Sequence, residues 1–186
     1  MSFVLIVAAV CAGVAVLRGG SLRRLADTSF RHVWLLVTGA IISLAAAFWN
    51  PPWLGDVGAL AVTIVVLVCA VVFLLANRDL PGIGIAGVGL AINTVVVLVN
   101  GAMPVSADAA RIANARGSLS DPGLKHEVMG PETNLAWLAD RIPLPGARIV
   151  LSAGDVVLAA GIGRLVYKRT LGAEGIGDSA VAKRKD

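Results

Sequence analysis

Asp155 is the residue of this chain whose type and setting most invite chemistry. It is the one acid in an otherwise apolar run from Ile149 to Tyr167. A carboxylate at the centre of a membrane helix costs about 2.5–3.5 kcal/mol to insert, so an acid there is a functional candidate. Burial also raises a carboxyl pKa, as a general acid or one member of a shared-proton pair requires. A structural reading stands beside this one. Ser152-Ala153-Gly154-Asp155 has the S/T-x-x-D/E spacing of a capping box, with Asp in place of Glu. On that reading Ser152 begins the helix and Asp155 sits in its first turn near the headgroups, favoured by the helix dipole. The sequence leaves both open.

The other polar candidates are weaker. Asn93 lies inside an apolar block, where an amide bonds a neighbouring helix for roughly 0.6–2 kcal/mol or touches a substrate. His32 and His126-Glu127 are isolated, and a metal site needs three or four converging ligands, so no metal is expected. Gly82-x-Gly84-x-x-Gly87 matches a dinucleotide-binding spacing. It opens an apolar block instead of following a strand, and the next acid is Asp108. Close helix packing by the glycines at 82, 84, 87 and 89 is the expectation. No cofactor is expected.

The elements that position these residues follow from composition. Of 186 residues 57% are hydrophobic and 15% charged, and mean hydropathy is +0.83. Soluble domains sit near 45–50% apolar and about 25% charged. The apolar residues fall in blocks, which predicts an all-α polytopic membrane protein with five transmembrane helices, at residues 2–17, 33–49, 57–76, 82–100 and 149–167. The first block resembles a signal-peptide core but lacks a positive leader and a clear cleavage site, so it is read as a retained span. Asn50-Pro51-Pro52 and Asn77-Arg78-Asp79-Leu80-Pro81-Gly82 are turns. Residues 1–170 are expected to form a single membrane domain, and 171–186 a disordered basic tail.

The segment 101–148 reads as one large loop. Within it Ser106–Arg116 is predicted as a short helix capped by Ser106, Ser118–Gly123 as a turn, and Pro131–Asp140 as a second short helix. Leu135, Trp137 and Leu138 of that second helix would rest on the membrane surface.

Placing the N-terminus outside puts 11 of the Lys and Arg residues on the cytoplasmic side and 5 in the long outer loop. This fits the positive-inside rule with a cytoplasmic C-terminus, and it explains the pI of 9.6 without nucleic acid. Trp49, Trp53 and Trp137 then mark the outer interface, Trp34 and Tyr167 the inner one. Cys11 and Cys69 both fall in apolar blocks and are read as inert thiols.

Several motifs together resemble a known family. They are Asn77…Pro81-Gly82, Asn100-Gly101-Ala102-Met103-Pro104-Val105, His126, Leu138-Ala139-Asp140-Arg141-Ile142-Pro143 and Ser152-Ala153-Gly154-Asp155. The chain resembles the small bacterial membrane proteins of the domain-of-unknown-function family numbered five-three-one-seven. That likeness implies a polytopic membrane protein and no activity. It marks Asn100, Met103, Pro104, His126, Arg141, Ser152 and Gly154 as binding or structural positions.

A local stretch is also similar to lipoprotein signal peptidases, which carry an Asp-Arg pair and then F-N-x-A-D at the outer end of their last span. Here Asp140-Arg141 precedes Leu151-Ser152-Ala153-Gly154-Asp155, with Gly161 six residues on. That resemblance implies an aspartyl dyad of Asp140 and Asp155. One acid would activate water and the other would protonate the carbonyl or leaving group. Trp137 and Ser152 stand where that family has asparagines, and five spans replace four.

Three functions are therefore expected. The foremost is a non-catalytic protein of the cytoplasmic membrane that binds a membrane-protein partner, or a second copy of itself, through the outer loop. The second is a membrane-interface aspartyl hydrolase. The third is a small transporter or channel subunit with Asn93 and Asp155 along a polar path.

Overall fold

The computed structural model describes residues 2–48, 55–115 and 126–172. The chain is mostly helical and divides into two compact units, residues 1–27 with 79–186, and residues 28–78.

The first unit is built on three long helices, α1 (Ser2–Leu17), α5 (Ile83–Asn100) and α7 (Ala153–Leu171). Val- and Ile-rich sequences have modest helix propensity, so packing must hold these helices together. Glycine supplies it. A Cβ on Gly89 would strike the Leu158 amide and the Gly154 carbonyl, and one on Gly161 would strike Ala86 and the Gly82 carbonyl. The expected glycine face is therefore real at Gly82 and Gly89, whereas Gly84 faces open space. Gly82 also has φ of +88°, which L side chains rarely adopt.

These contacts make α5 and α7 antiparallel. On α1, Val7 and Cys11 lie against Gly163 and Arg18 reaches Tyr167, so α1 runs parallel to α7. The N-terminal ends of α1 and α7 thus share one end of the unit with Asn100. The opposite end holds a short helix, α2 (Leu22–Ala26), capped by the Ser21 hydroxyl.

Between α5 and α7 the chain forms a small, partly β structure. Strand β1 (Met103–Val105) pairs in parallel with β2 (His126–Val128), and a bridge from Val105 to Asp140 adds a third segment. Helix α6 (Ala107–Ala113) follows β1, with Ser106 as its cap as expected. Strands β3 (Ile142–Leu144) and β4 (Ile149–Leu151) form a hairpin around a short 3-10 turn, Pro145–Ala147. Val96, Met103 and Ala139 are its core, packed by Leu135, Leu138 and Met129.

The second unit is an antiparallel pair, α3 (Trp34–Phe48) and α4 (Gly55–Ala76). Gly39 lies against Val66 and Cys69, and Phe30 against Phe73. Both cysteines are free.

Four expectations change. The chain is not purely α-helical, because the loop holds two small sheets. The last block is not helical from residue 149: Ile149–Leu151 is strand and the helix starts after Ser152, running to Leu171. Pro131–Asp140 is a succession of turns instead of a helix, and Leu135 there takes φ of +52°. The stretch left between the predicted spans 2–17 and 33–49 is not wholly a connection without structure, since α2 interrupts it. Among the described residues one helix, Ile83–Asn100, is long and apolar enough to cross a membrane. The apolar stretches Phe3–Leu17, Trp34–Ala46 and Ala61–Ala76 are shorter. The predicted turn at 118–123, the tail from 173, and Trp49 and Trp53 lie outside the described residues.

Candidate functional site

The capping box read from Ser152 to Asp155 is present, and it carries an additional member. The Asp155 N–H donates to the Ser152 hydroxyl oxygen at 2.9 Å, and the Ser152 N–H donates to Asp155 Oδ2 at 3.2 Å. Asn93 then closes the set from α5. Its Nδ2 donates to Asp155 Oδ1 at 2.9 Å, and its Oδ1 accepts from the Ser152 hydroxyl at 2.8 Å. Both carboxylate oxygens of Asp155 are engaged, and Ser152 is fully buried. Gly154 makes this approach feasible, because a Cβ there would overlap the Asn93 amide.

Asp140 enters the same neighbourhood through the hairpin. Ile142 is opposite Leu151 in the register, the Arg141 N–H donates to the Leu151 carbonyl at 3.1 Å, and the Ala153 N–H donates to the Leu138 carbonyl at 3.3 Å. Residues 138–141 therefore run along the entry to α7. The Asp140 backbone is fixed on its other side, with its N–H on the Pro104 carbonyl at 3.0 Å and its carbonyl accepting from the Ser106 N–H at 2.9 Å. Asp140 is buried, and its carboxyl is pushed up to about 7, first by burial and then by the negative charge of Asp155. Arg141 keeps its side chain exposed.

Asn100 ends α5 and binds the loop. Its Nδ2 donates to the Val96 carbonyl at 2.8 Å and to the Asn134 carbonyl at 3.0 Å, while its Oδ1 accepts from the Asn134 N–H at 2.8 Å. The amide thus copies a strand pairing. Asn77, at the end of α4, does the same with Arg31, donating to its carbonyl at 2.9 Å and accepting from its N–H at 2.8 Å.

Above Asn100 a half-open cleft of about 430 Å³ is lined by Asn100, Pro104, Glu127, Glu132, Thr133 and Asn134, among others. Met103 is in the core with Val96 and Ala139, and His126 pairs with Met103 across the sheet. The cleft contains neither Asn93 nor Asp155, so the predicted site residues separate into two places. Sequence reasoning missed Asn134, Glu132 and Thr133, and the only signal was the turn-forming Gly130-Pro131 before them. No group of three or more His, Cys, Asp or Glu residues suited to a metal occurs among the described residues.

A family model described as a family of unknown function (DUF5317) matches residues 27–167. No curated protein matches, and no solved structure matches.

Proposed function

The chain belongs to the family of unknown function DUF5317, and from a membership that brings no activity with it we propose a multi-pass protein of the cytoplasmic membrane that binds a partner through its outer loop, residues 101–148. The membrane part takes α1, α3, α4, α5 and α7 as spans, with the N-terminus outside and the C-terminus cytoplasmic. Large aliphatic side chains face outward on α1 and α5, Leu5 at 70%, Leu17 at 88% and Leu98 at 61% exposure among them. Water would oppose that arrangement and lipid favours it. The helix directions support the sidedness, because the loop is at one end of the first unit and Arg18, Arg23, Arg24, Lys168 and Arg169 are at the other.

The observation that carries the binding role is the cleft above Asn100. One wall is tied to the end of α5 by the Asn100 pairing with Asn134, and among the described residues the charged ones that line it are Glu127 and Glu132, both exposed. A partner segment presenting amine or guanidinium groups fits this rim. The test is titration of labelled tetra-lysine and tetra-glutamate peptides into the full chain in neutral phosphatidylcholine nanodiscs. Tetra-lysine binding that disappears in E127Q/E132Q supports the reading; equal binding of both peptides, or of both proteins, sinks it.

A second reading is favoured by the burial of Asp140 beside Asp155. Two carboxyls, one holding a proton near neutral pH, are what an aspartyl hydrolase needs. Asp155 is committed to Asn93 and Ser152, which places helix capping ahead of catalysis. Peptide cleavage lost equally in D140N and D155N, with a bell-shaped pH profile, would reverse that order.

A further inference from the structure

The α1–α2 corner is clamped onto the last turn of α7. The Ser21 N–H donates to the Thr170 carbonyl at 2.8 Å, Arg24 Nη1 donates to the Leu171 carbonyl at 2.8 Å, and Arg18 Nη1 donates to the Tyr167 hydroxyl at 2.7 Å. Five cations are thereby gathered at one end of the unit. Arg18 and Arg24 are engaged with protein acceptors. Among the described residues no carboxylate forms an ion pair with Arg23, Lys168 or Arg169, the ion pair found there being Arg111 with Asp108. The C-terminal dipole of α7 favours cations there but neutralises only a fraction of this charge.

Arg169 adds a sharper demand. Its Nε is shielded from solvent and has no hydrogen-bond partner, and the hydroxyl of the fully buried Thr170 next to it has none either. A guanidinium desolvated on one edge is costly without a counter-charge, and an anion at its outer edge offsets that cost. The immediate surroundings are apolar as well as basic. Leu17 and Leu22, next in sequence to Arg18 and Arg23, are 88% and 57% exposed. An inorganic anion would leave both leucines bare, whereas an anionic lipid brings chains to cover them.

The geometry points to a seat for the phosphate of an anionic phospholipid headgroup, held by Arg23, Lys168 and Arg169, with acyl chains against Leu17 and Leu22. This rests on the membrane placement proposed above. Basic pockets at the cytoplasmic ends of membrane helices take such headgroups, each cation contributing about fivefold in affinity.

The test uses the full chain. Flotation with liposomes of phosphatidylcholine, with or without phosphatidylglycerol, checks the membrane placement, and native mass spectrometry from detergent counts retained lipid. Phosphatidylglycerol is expected to be retained at least tenfold better than phosphatidylcholine. R23Q/K168Q/R169Q loses that preference and R23K/R169K keeps it, which separates charge from misfolding. Flotation with both liposome types but equal retention of the two lipids overturns the seat and leaves the membrane placement standing. No flotation with either overturns the placement. Displacement of phosphatidylglycerol by millimolar inorganic phosphate makes the seat a free-anion site and overturns the lipid assignment.

Discussion

The carboxamide of Asn93 occupies the space that a Cβ on Gly154 would fill. Two helices are thereby locked at the point where α7 begins, and the lock is polar on one side and steric on the other.

Gly154→Ala is expected to destabilise the protein by about 1–3 kcal/mol through overpacking. Asn93→Ala should cost a similar amount, because Ser152 and Asp155 lose their partner. The double variant should be less damaged than the sum, with a coupling of roughly 0.5–3 kcal/mol. Thermal unfolding of the four proteins in one detergent reads the cycle; strict additivity would mean the two groups do not share this space.

Close backbone approach predicts a second contrast. Gly89→Val and Gly161→Val press on backbone atoms of the facing helix and should lower the unfolding temperature or prevent folding. Gly84→Ala faces open space and should be neutral or slightly stabilising. Equal effects at Gly84 and Gly89 would contradict the helix register.

Asp140 sets a pH dependence whose direction is fixed by linkage. Between its ordinary 3.8 and about 7 the folded protein keeps a proton that the unfolded chain has released. Its contribution is therefore complete below about pH 4, declines as pH rises to about 7, and is flat beyond. The whole change is on the order of 4 kcal/mol. Asp140→Asn should flatten this slope and stabilise the protein at pH 8. Unfolding midpoints from pH 4 to 8 test it, and a wild-type stability that rises across that window because of Asp140 would refute the assignment.

Asn100→Ala removes two bonds to Asn134 and one to Val96, for a loss of about 1–3 kcal/mol. Because Asn134 is a wall of the cleft, tetra-lysine binding should weaken by about tenfold. Unchanged binding in a folded Asn100→Ala protein would separate the cleft from the helix end.

What could be read from sequence followed local chemistry. Ser106 announced α6, the Ser152 to Asp155 spacing announced the start of α7, and glycines at 82 and 89 announced close packing. The misses were of two kinds. Strands of three residues containing Pro104 or Pro143 are too short to show a period of two. Leu135, Trp137 and Leu138 suggested a helix, yet Leu135 turns left-handed and packs on Val96 and Met103 instead. That cost of roughly 1–2 kcal/mol is met by contacts distant in sequence. The Asn100–Asn134 pairing is invisible for the same reason, since neither asparagine names its partner.

That pairing makes α5 the handle of a latch. One cleft wall hangs from the last residue of a helix whose other end is pinned against Gly161. Any tilt or rotation of α5 must carry Asn134 with it, so the shape of the cleft reports the posture of a rod whose far end lies at the other end of the first unit. Binding in the cleft must, by the same linkage, resist that movement.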